Sequence, residues 1–162
     1  MNDHMRQIEA ELLWKQGLLE QSQGEVPNAL ELYERSIELY PTAEAYTFRG
    51  WALSLDSERL EEAIQACQEA IRVDPAFGNP YNDIGCYLMQ LGQLERAIPW
   101  LEQAKQAQRY EPRQFPYINL GRLYARQGQW KAARREFEGA VKVAPNDLGA
   151  RKALRALIAR FN

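Results

Sequence analysis

Apolar residues recur at helical spacing along the chain, and the helices they mark come in pairs. Tyr81, Ile84, Leu88 and Leu91 fall at i, i+3, i+7 and i+10 before Gly92, and Leu94, Ile98, Leu101 and Ala104 resume the stripe. The same order returns as Tyr117, Leu120 and Tyr124, then Gly128, then Trp130, Ala133, Phe137, Ala140 and Val141. An apolar stripe at this period predicts an amphipathic helix, and the glycine between two stripes predicts a tight turn. Each unit therefore reads as a helical hairpin.

The hairpins return with a fixed period. Ala29, Ala63, Ala97 and Ala133 are separated by 34, 34 and 36 residues, with Tyr33, Cys67, Leu101 and Phe137 at i+4 and Ser36, Ala70, Ala104 and Ala140 at i+7. Such a period predicts units that bury their apolar faces by stacking on their neighbours. The expected fold is all-α, an α-solenoid of stacked antiparallel helix pairs, in one domain over residues 1–162. Its repeats fall at about 9–42, 43–76, 77–112 and 113–146, followed by a capping helix at 147–162.

Gly17, Gly50, Gly85 and Gly121 lie inside the first helix of each pair, where Gly costs about 1 kcal/mol against Ala. Close approach of the second helix offsets this cost, with the small Ala twelve or thirteen residues later expected opposite each Gly. Gly24, Gly92 and Gly128 are predicted to end three of the first helices. The second repeat has Leu55-Asp56-Ser57-Glu58 there instead, which predicts a looser turn. Pro41, Pro75 and Pro145 close second helices, Pro80 and Pro116 suit first turns, and Pro99 is expected to bend or shorten its helix. Residues 108–113 exceed the period by two, predicting a longer helix or a protruding loop. Asp147 is a candidate N-cap for the last helix, with Leu154, Leu157, Ile158 and Phe161 on the face that covers the fourth repeat.

Composition narrows the chemistry. The 162 residues are 46% hydrophobic, and no apolar run approaches the ~20 residues of a membrane span. The start, Met1-Asn2-Asp3-His4-Met5-Arg6, lacks the pattern of an export signal, so a cytoplasmic location is expected. Cys67 and Cys86 form no CxxC and have no neighbouring His, so neither a metal nor a cofactor is expected. His4, the single histidine, falls in an end expected to fray and supports no Ser-His or Cys-His pair. Glu61-Glu62 and Glu31, Glu34 and Glu38 fall on predicted outer faces, where solvated charge is expected, and no phosphate-binding glycine loop is present. The chain is expected not to be an enzyme.

Charge is unevenly distributed. Residues 1–104 carry 7 basic and 18 acidic side chains, a balance of −11, whereas residues 105–162 carry 13 basic and 4 acidic, a balance of +9. A solenoid keeps sequence neighbours adjacent in space, so the molecule is expected to be an electrostatic dipole along its length.

Tyr117, Leu120-Gly121, Tyr124, Gly128, Trp130, Ala133, Phe137, Ala140 and Pro145 together resemble a complete tetratricopeptide repeat. Residues 79–108 match nearly as well, and Ala29, Tyr33, Ser36 and Pro41 with Ala63, Cys67, Ala70 and Pro75 match in their second helices. The first helices of repeats one and two depart from the pattern, with Gln16 and Glu20 in place of apolar residues and Arg49 preceding Gly50. The resemblance implies a right-handed superhelix whose first helices line a concave groove for an extended peptide or a partner's helix. By the same resemblance the groove residues are Trp14, Leu18, Thr47, Trp51, Asn79, Asn82, Cys86, Met89, Phe115, Ile118, Arg122 and Arg126, with Lys152 at the basic end. Related proteins that grip a chaperone's C-terminal carboxylate use Lys, Asn and Arg on three first helices. Here Thr47, Trp51, Asp83, Phe115 and Asn119, or Trp14, Leu18, Phe48, Asn79 and Asp83, occupy those positions and build no such clamp.

The leading expectation is a protein-interaction adaptor whose partner segment carries apolar side chains and an acidic end. A small secretion-type or assembly chaperone holding a client segment is the alternative, and complementary ends also allow a homo-oligomer or self-assembling scaffold. Contact of the Arg-rich end with nucleic acid or anionic lipid is disfavoured against a solvated charged surface.

Overall fold

A computed structural model of the chain describes residues 2–161. Among them four helix pairs run in order: α1 (Asp3–Ser22) with α2 (Val26–Leu39), α3 (Ala43–Ser54) with α4 (Leu60–Val73), α5 (Asn79–Gln90) with α6 (Leu94–Gln106), and α7 (Gln114–Arg126) with α8 (Trp130–Val143). A final helix, α9 (Leu148–Ala159), packs chiefly on α8. Each helix contacts its hairpin partner most extensively and then the next pair along the chain. Apolar clusters accordingly follow one another, from Ala29, Tyr33 and Ala52, through Leu53, Ile84, Leu101 and Leu120, to Phe137, Ala150 and Leu157. The all-α solenoid is thus the observed architecture.

The glycines inside the first helices sit under bulky side chains rather than under the alanines. A Cβ on Gly17 would lie 2.6 Å from Cε1 of Tyr33, one on Gly85 2.5 Å from Cγ of Leu101, and one on Gly121 inside contact distance of the Phe137 ring. Only at Gly50 does the alanine take part, through the Ala63 carbonyl at 3.0 Å, beside the Cys67 sulfur at 3.1 Å. The long side chains reach across the hairpin and fill the space a Cβ would need. The alanine row, Ala29, Ala63, Ala97 and Ala133, is fully buried all the same.

Gly24, Gly92 and Gly128 have φ of 88°, 75° and 71°, the left-handed conformation that lets a helix end and the chain reverse. The second turn, residues 55–59, is longer than the three-residue turns of the other pairs, and it is ordered. Its extra length is taken up in a 3-10 turn, Ser57–Arg59, which the Asp56 carboxylate caps by accepting from the Glu58 backbone N–H at 2.9 Å. The helix carrying Pro99 continues past it to Gln106 and runs 13 residues, one fewer than the 14 of α2, α4 and α8. The proline is exposed, so the carbonyl it leaves without a helical partner faces water.

Residues 107–113 neither extend α6 nor protrude. The Arg109 backbone exchanges hydrogen bonds with Ala76 and Gly78, and Tyr110 is buried against Gly78, where a Cβ would lie 2.6 Å from its ring. The Arg109 guanidinium lies over the Phe77 ring and pairs with Asp74 at 2.6 Å and Glu44 at 2.8 Å. The Glu111–Pro112 peptide is cis.

Both ends are capped. Asn2 accepts from the Met5 backbone N–H at 2.9 Å, so α1 starts at Asp3 and carries His4 within the helix instead of a frayed end. Asp147 caps α9 by accepting from the Ala150 N–H at 2.7 Å. Ala150 and Leu157 bury the inner face of α9, while Ile158 stays on the exposed side and Phe161 packs against Trp130 with ring centroids 5.3 Å apart and planes tilted by 57°.

Gly17→Ala provides a test of the glycine contact. Tyr33 is fully buried and its hydroxyl is held by Gln21 at 2.9 Å, so its ring cannot retreat. Overpacking of ~1–3 kcal/mol should exceed the ~1 kcal/mol propensity gain, giving a net loss of up to about 2 kcal/mol in urea unfolding.

Candidate functional site

Successive first helices touch one another, α1 on α3, α3 on α5, α5 on α7 and α7 on α9. Among the described residues the second helices α2, α4, α6 and α8 make no such contacts. The stack is therefore narrower on the first-helix side, and α1, α3, α5, α7 and α9 form its inner, concave face.

The repeating glycine gives a common register for that face. The row three residues before it, Trp14, Thr47, Asn82 and Ile118, turns toward the neighbouring helices. Thr47, Asn82 and Ile118 are only 2%, 6% and 4% exposed, so these three expected groove residues offer almost no surface to a ligand. The Thr47 hydroxyl donates to the Ala43 carbonyl at 2.7 Å, Asn82 accepts from Asn119 at 2.9 Å, and Ile118 belongs to the cluster around Phe137. Trp14, at the open end of the row, packs half-buried on Phe48 at 5.3 Å.

The accessible stripe lies at other positions. One residue after the glycine come Leu18, Trp51, Cys86 and Arg122, of which Trp51 is 48% exposed and Arg122 is exposed. On the same helix faces lie partly buried Asn79, Phe115 at 43% exposure, and exposed Arg126. Met89 is partly buried against the central core, and its carbonyl accepts from Arg126 at 3.1 Å. Arg122 and exposed Lys152 line a cleft between α7 and α9 over Ala125, Ala153 and Leu157. Among the described residues neither cation pairs with a carboxylate within 4 Å.

Asp83 and Asn119 belong to this stripe as well, two residues before the glycine. The sequence placed them toward the groove only as residues unfit for a carboxylate clamp. Asn119 Nδ2 donates to Asn82 Oδ1 and approaches Cys86 Sγ at 3.2 Å, joining α5 to α7 in the floor. The Asp83 carboxylate receives a single long hydrogen bond, from Asn82 at 3.4 Å. Desolvation pushes its pKa up to about 7, against which the Asn82 contact acts weakly. Burial and the Asp83 charge push the Cys86 thiol up to about 12, although Arg122 opposes them, and burial raises Cys67 well above the usual thiol range. Both sulfurs are protonated at neutral pH, which makes them poor nucleophiles.

Outside the groove, Glu31, Glu34, Glu38, Glu61 and Glu62 are exposed, and Glu62 pairs with Arg59 at 2.8 Å. Among the described residues no three His, Cys, Asp or Glu side chains cluster as metal ligands, and no helix is long and apolar enough to cross a membrane.

Three family models, each described as a tetratricopeptide repeat, match residues 15–79, 79–110 and 115–147. The chain belongs to the tetratricopeptide-repeat family. It is 35% identical over 89 residues to a TPR repeat-containing thioredoxin of Arabidopsis thaliana, a match covering 55% of this chain and 13% of that protein. Among solved structures it resembles pilF of Pseudomonas aeruginosa, at a TM-score of 0.86 and 19% identity over 96% of this chain and 70% of that one. It also resembles YrrB, described as a TPR protein with an unusual peptide-binding site, at a TM-score of 0.65 and 23% identity over 91% and 75%. At these identities the structural likeness is one of fold. A tetratricopeptide-repeat solenoid is a protein-interaction module, typically a scaffold and not a catalyst.

The Asp83 carboxyl predicts a pH-dependent stability. Because its folded pKa lies above the unfolded value, the group favours folding fully below about pH 4, and this contribution is lost as pH rises through about 7. Asp83→Asn should therefore melt higher than wild type at pH 8, with the difference shrinking toward pH 5, as read by thermal unfolding at the two pH values.

Proposed function

We propose that the concave face holds an extended or helical segment of a partner protein. The observation that carries this reading is the pair Trp51 and Phe115, each nearly half exposed on the inner face, with Arg122 and Lys152 beyond them at the α7–α9 end. Large aromatics and arginines dominate the energetics of many interfaces, and the concave side brings both to one surface. Apolar side chains of the partner pack on Trp51 and Phe115. Its acidic end lies toward Arg122, Arg126 and Lys152, because Asp83 repels carboxylates from the middle of the floor once ionised.

The test is a displayed peptide library selected against the whole chain, with the selected peptides then measured by fluorescence anisotropy. Trp51→Ala and Arg122→Glu should each weaken them about 30-fold, as expected for loss of about 2 kcal/mol at an anchor. Arg134→Glu, on α8, should leave them unchanged. Peptides that bind all four proteins equally would place recognition elsewhere on the molecule.

A further inference from the structure

Among the described residues the first and last helices carry exposed surfaces of opposite character. On α1 the side opposite the buried Ala10, Gly17 and Gln21 bears Met5, Ile8, Leu12 and Leu19, 51%, 41%, 63% and 56% exposed. Met5, Ile8 and Leu12 follow one another at spacings of 3 and 4 and form an apolar patch, and Leu19 lies on the same side two turns on, beyond exposed Lys15 and Gln16. Acidic groups predominate around the patch: α1 carries Asp3, Glu9, Glu11 and Glu20 against Arg6 and Lys15, and the adjoining α2 carries Glu31, Glu34 and Glu38 against Arg35.

The opposite end is built by α9. Its inner residues Ala150 and Leu157 are buried on the stack, and its outer side presents Leu148, Arg151, Lys152, Arg155, Ala156 and Ala159. Leu148 is 79% exposed, and α9 contains no acidic residue at all. Among the described residues Arg151 and Arg155 make no ion pair within 4 Å. The long stems of arginine and lysine can cover apolar surface while their charged heads stay in water. The outer side of α9 can thus meet an apolar patch with an acidic border.

We propose that the chain associates head to tail, the apolar outer face of α1 in one copy docking on the outer face of α9 in a second copy. Charge selects this arrangement over two copies of α1 meeting face to face. Such a dimer would bring two acidic ends together, whereas the α1–α9 contact brings the acidic end of one copy onto the basic end of the next. The contact is heterologous, so a docked pair keeps one free head and one free tail and can add further copies, in an open row or a closed ring. It uses neither Trp51 nor Phe115 but shares Lys152 with the proposed peptide site, and it does not rest on the groove holding a peptide.

The test is sedimentation of the whole chain at rising concentration, in ~50 mM and ~500 mM salt, a range over which screening weakens such contacts. Wild type should show a mean mass above the monomer that falls at high salt. Leu12→Arg disables the head and Arg155→Glu the tail. Both positions point outward, and circular dichroism should show wild-type helix content for each variant. Each variant alone should associate at least ~10-fold more weakly than wild type, the effect of an anchor at an interface. Mixed in equal amounts, each supplies the surface the other lacks, and they should form a one-to-one pair that grows no further. Trp51→Ala should associate like wild type. The proposal is overturned by a wild type that stays monomeric at both salt concentrations. It is equally overturned if Leu12→Arg abolishes association while Arg155→Glu does not, which would mark a face-to-face α1 dimer. A mixture that stays monomeric would also sink it.

Discussion

Four glycines, each roofed by a side chain from the neighbouring helix, set the geometry on which the stack depends. With no Cβ at Gly17, Gly85 or Gly121, the side chains of Tyr33, Leu101 and Phe137 rest directly on the backbone of the first helix. Where the roofing residue is the smaller Cys67, the Ala63 carbonyl oxygen shares the space above Gly50, 3.0 Å from where a Cβ would lie. In each pair the space a Cβ would take is filled by the second helix, so the hairpins can stack in regular succession. The ~1 kcal/mol that each glycine costs its helix is offset by this contact.

Curvature follows from which helices touch. Because only the first helices meet their equivalents in the next pair, the stack has a crowded inner side, and small rotations of a helix decide what that side shows. Asn82 and Asp83 illustrate this. They are adjacent in sequence, yet one is spent joining α5 to α7 while the other is left in the floor with a single weak hydrogen bond. The polar centre lies between Trp51 on α3 and the α7–α9 end, where Arg122, Arg126 and Lys152 share the surface with Phe115.

The local features of the fold were legible in the sequence: the period, the turn glycines and the Asp147 cap each depend on contacts within one hairpin. What escaped was set between hairpins. Thr47, Asn82 and Ile118 fall within the stripe that a helical repeat pattern assigns to the groove, but the neighbouring first helix covers them, and one helix's periodicity carries no record of how closely the next approaches. The alanine row was expected over the glycines for the same reason, since residues at i+12 and i+16 lie on one face of the second helix and only the splay of the hairpin chooses between them. Asp83 left a single signal, a carboxylate in line with Asn79 and Cys86, and nothing local to say that it would be desolvated.

The fold-back of residues 107–113 alters how the stack comes apart. In a solenoid whose units meet only their neighbours, pairs can fray one at a time from an end. Arg109, placed after the third pair, reaches past α5 to Asp74 and on to Glu44 in the first turn of α3, a span of 65 residues. That side chain works as a buckle. The second and third pairs cannot separate without opening it, so it ties the middle of the stack together across pairs that otherwise meet only their neighbours.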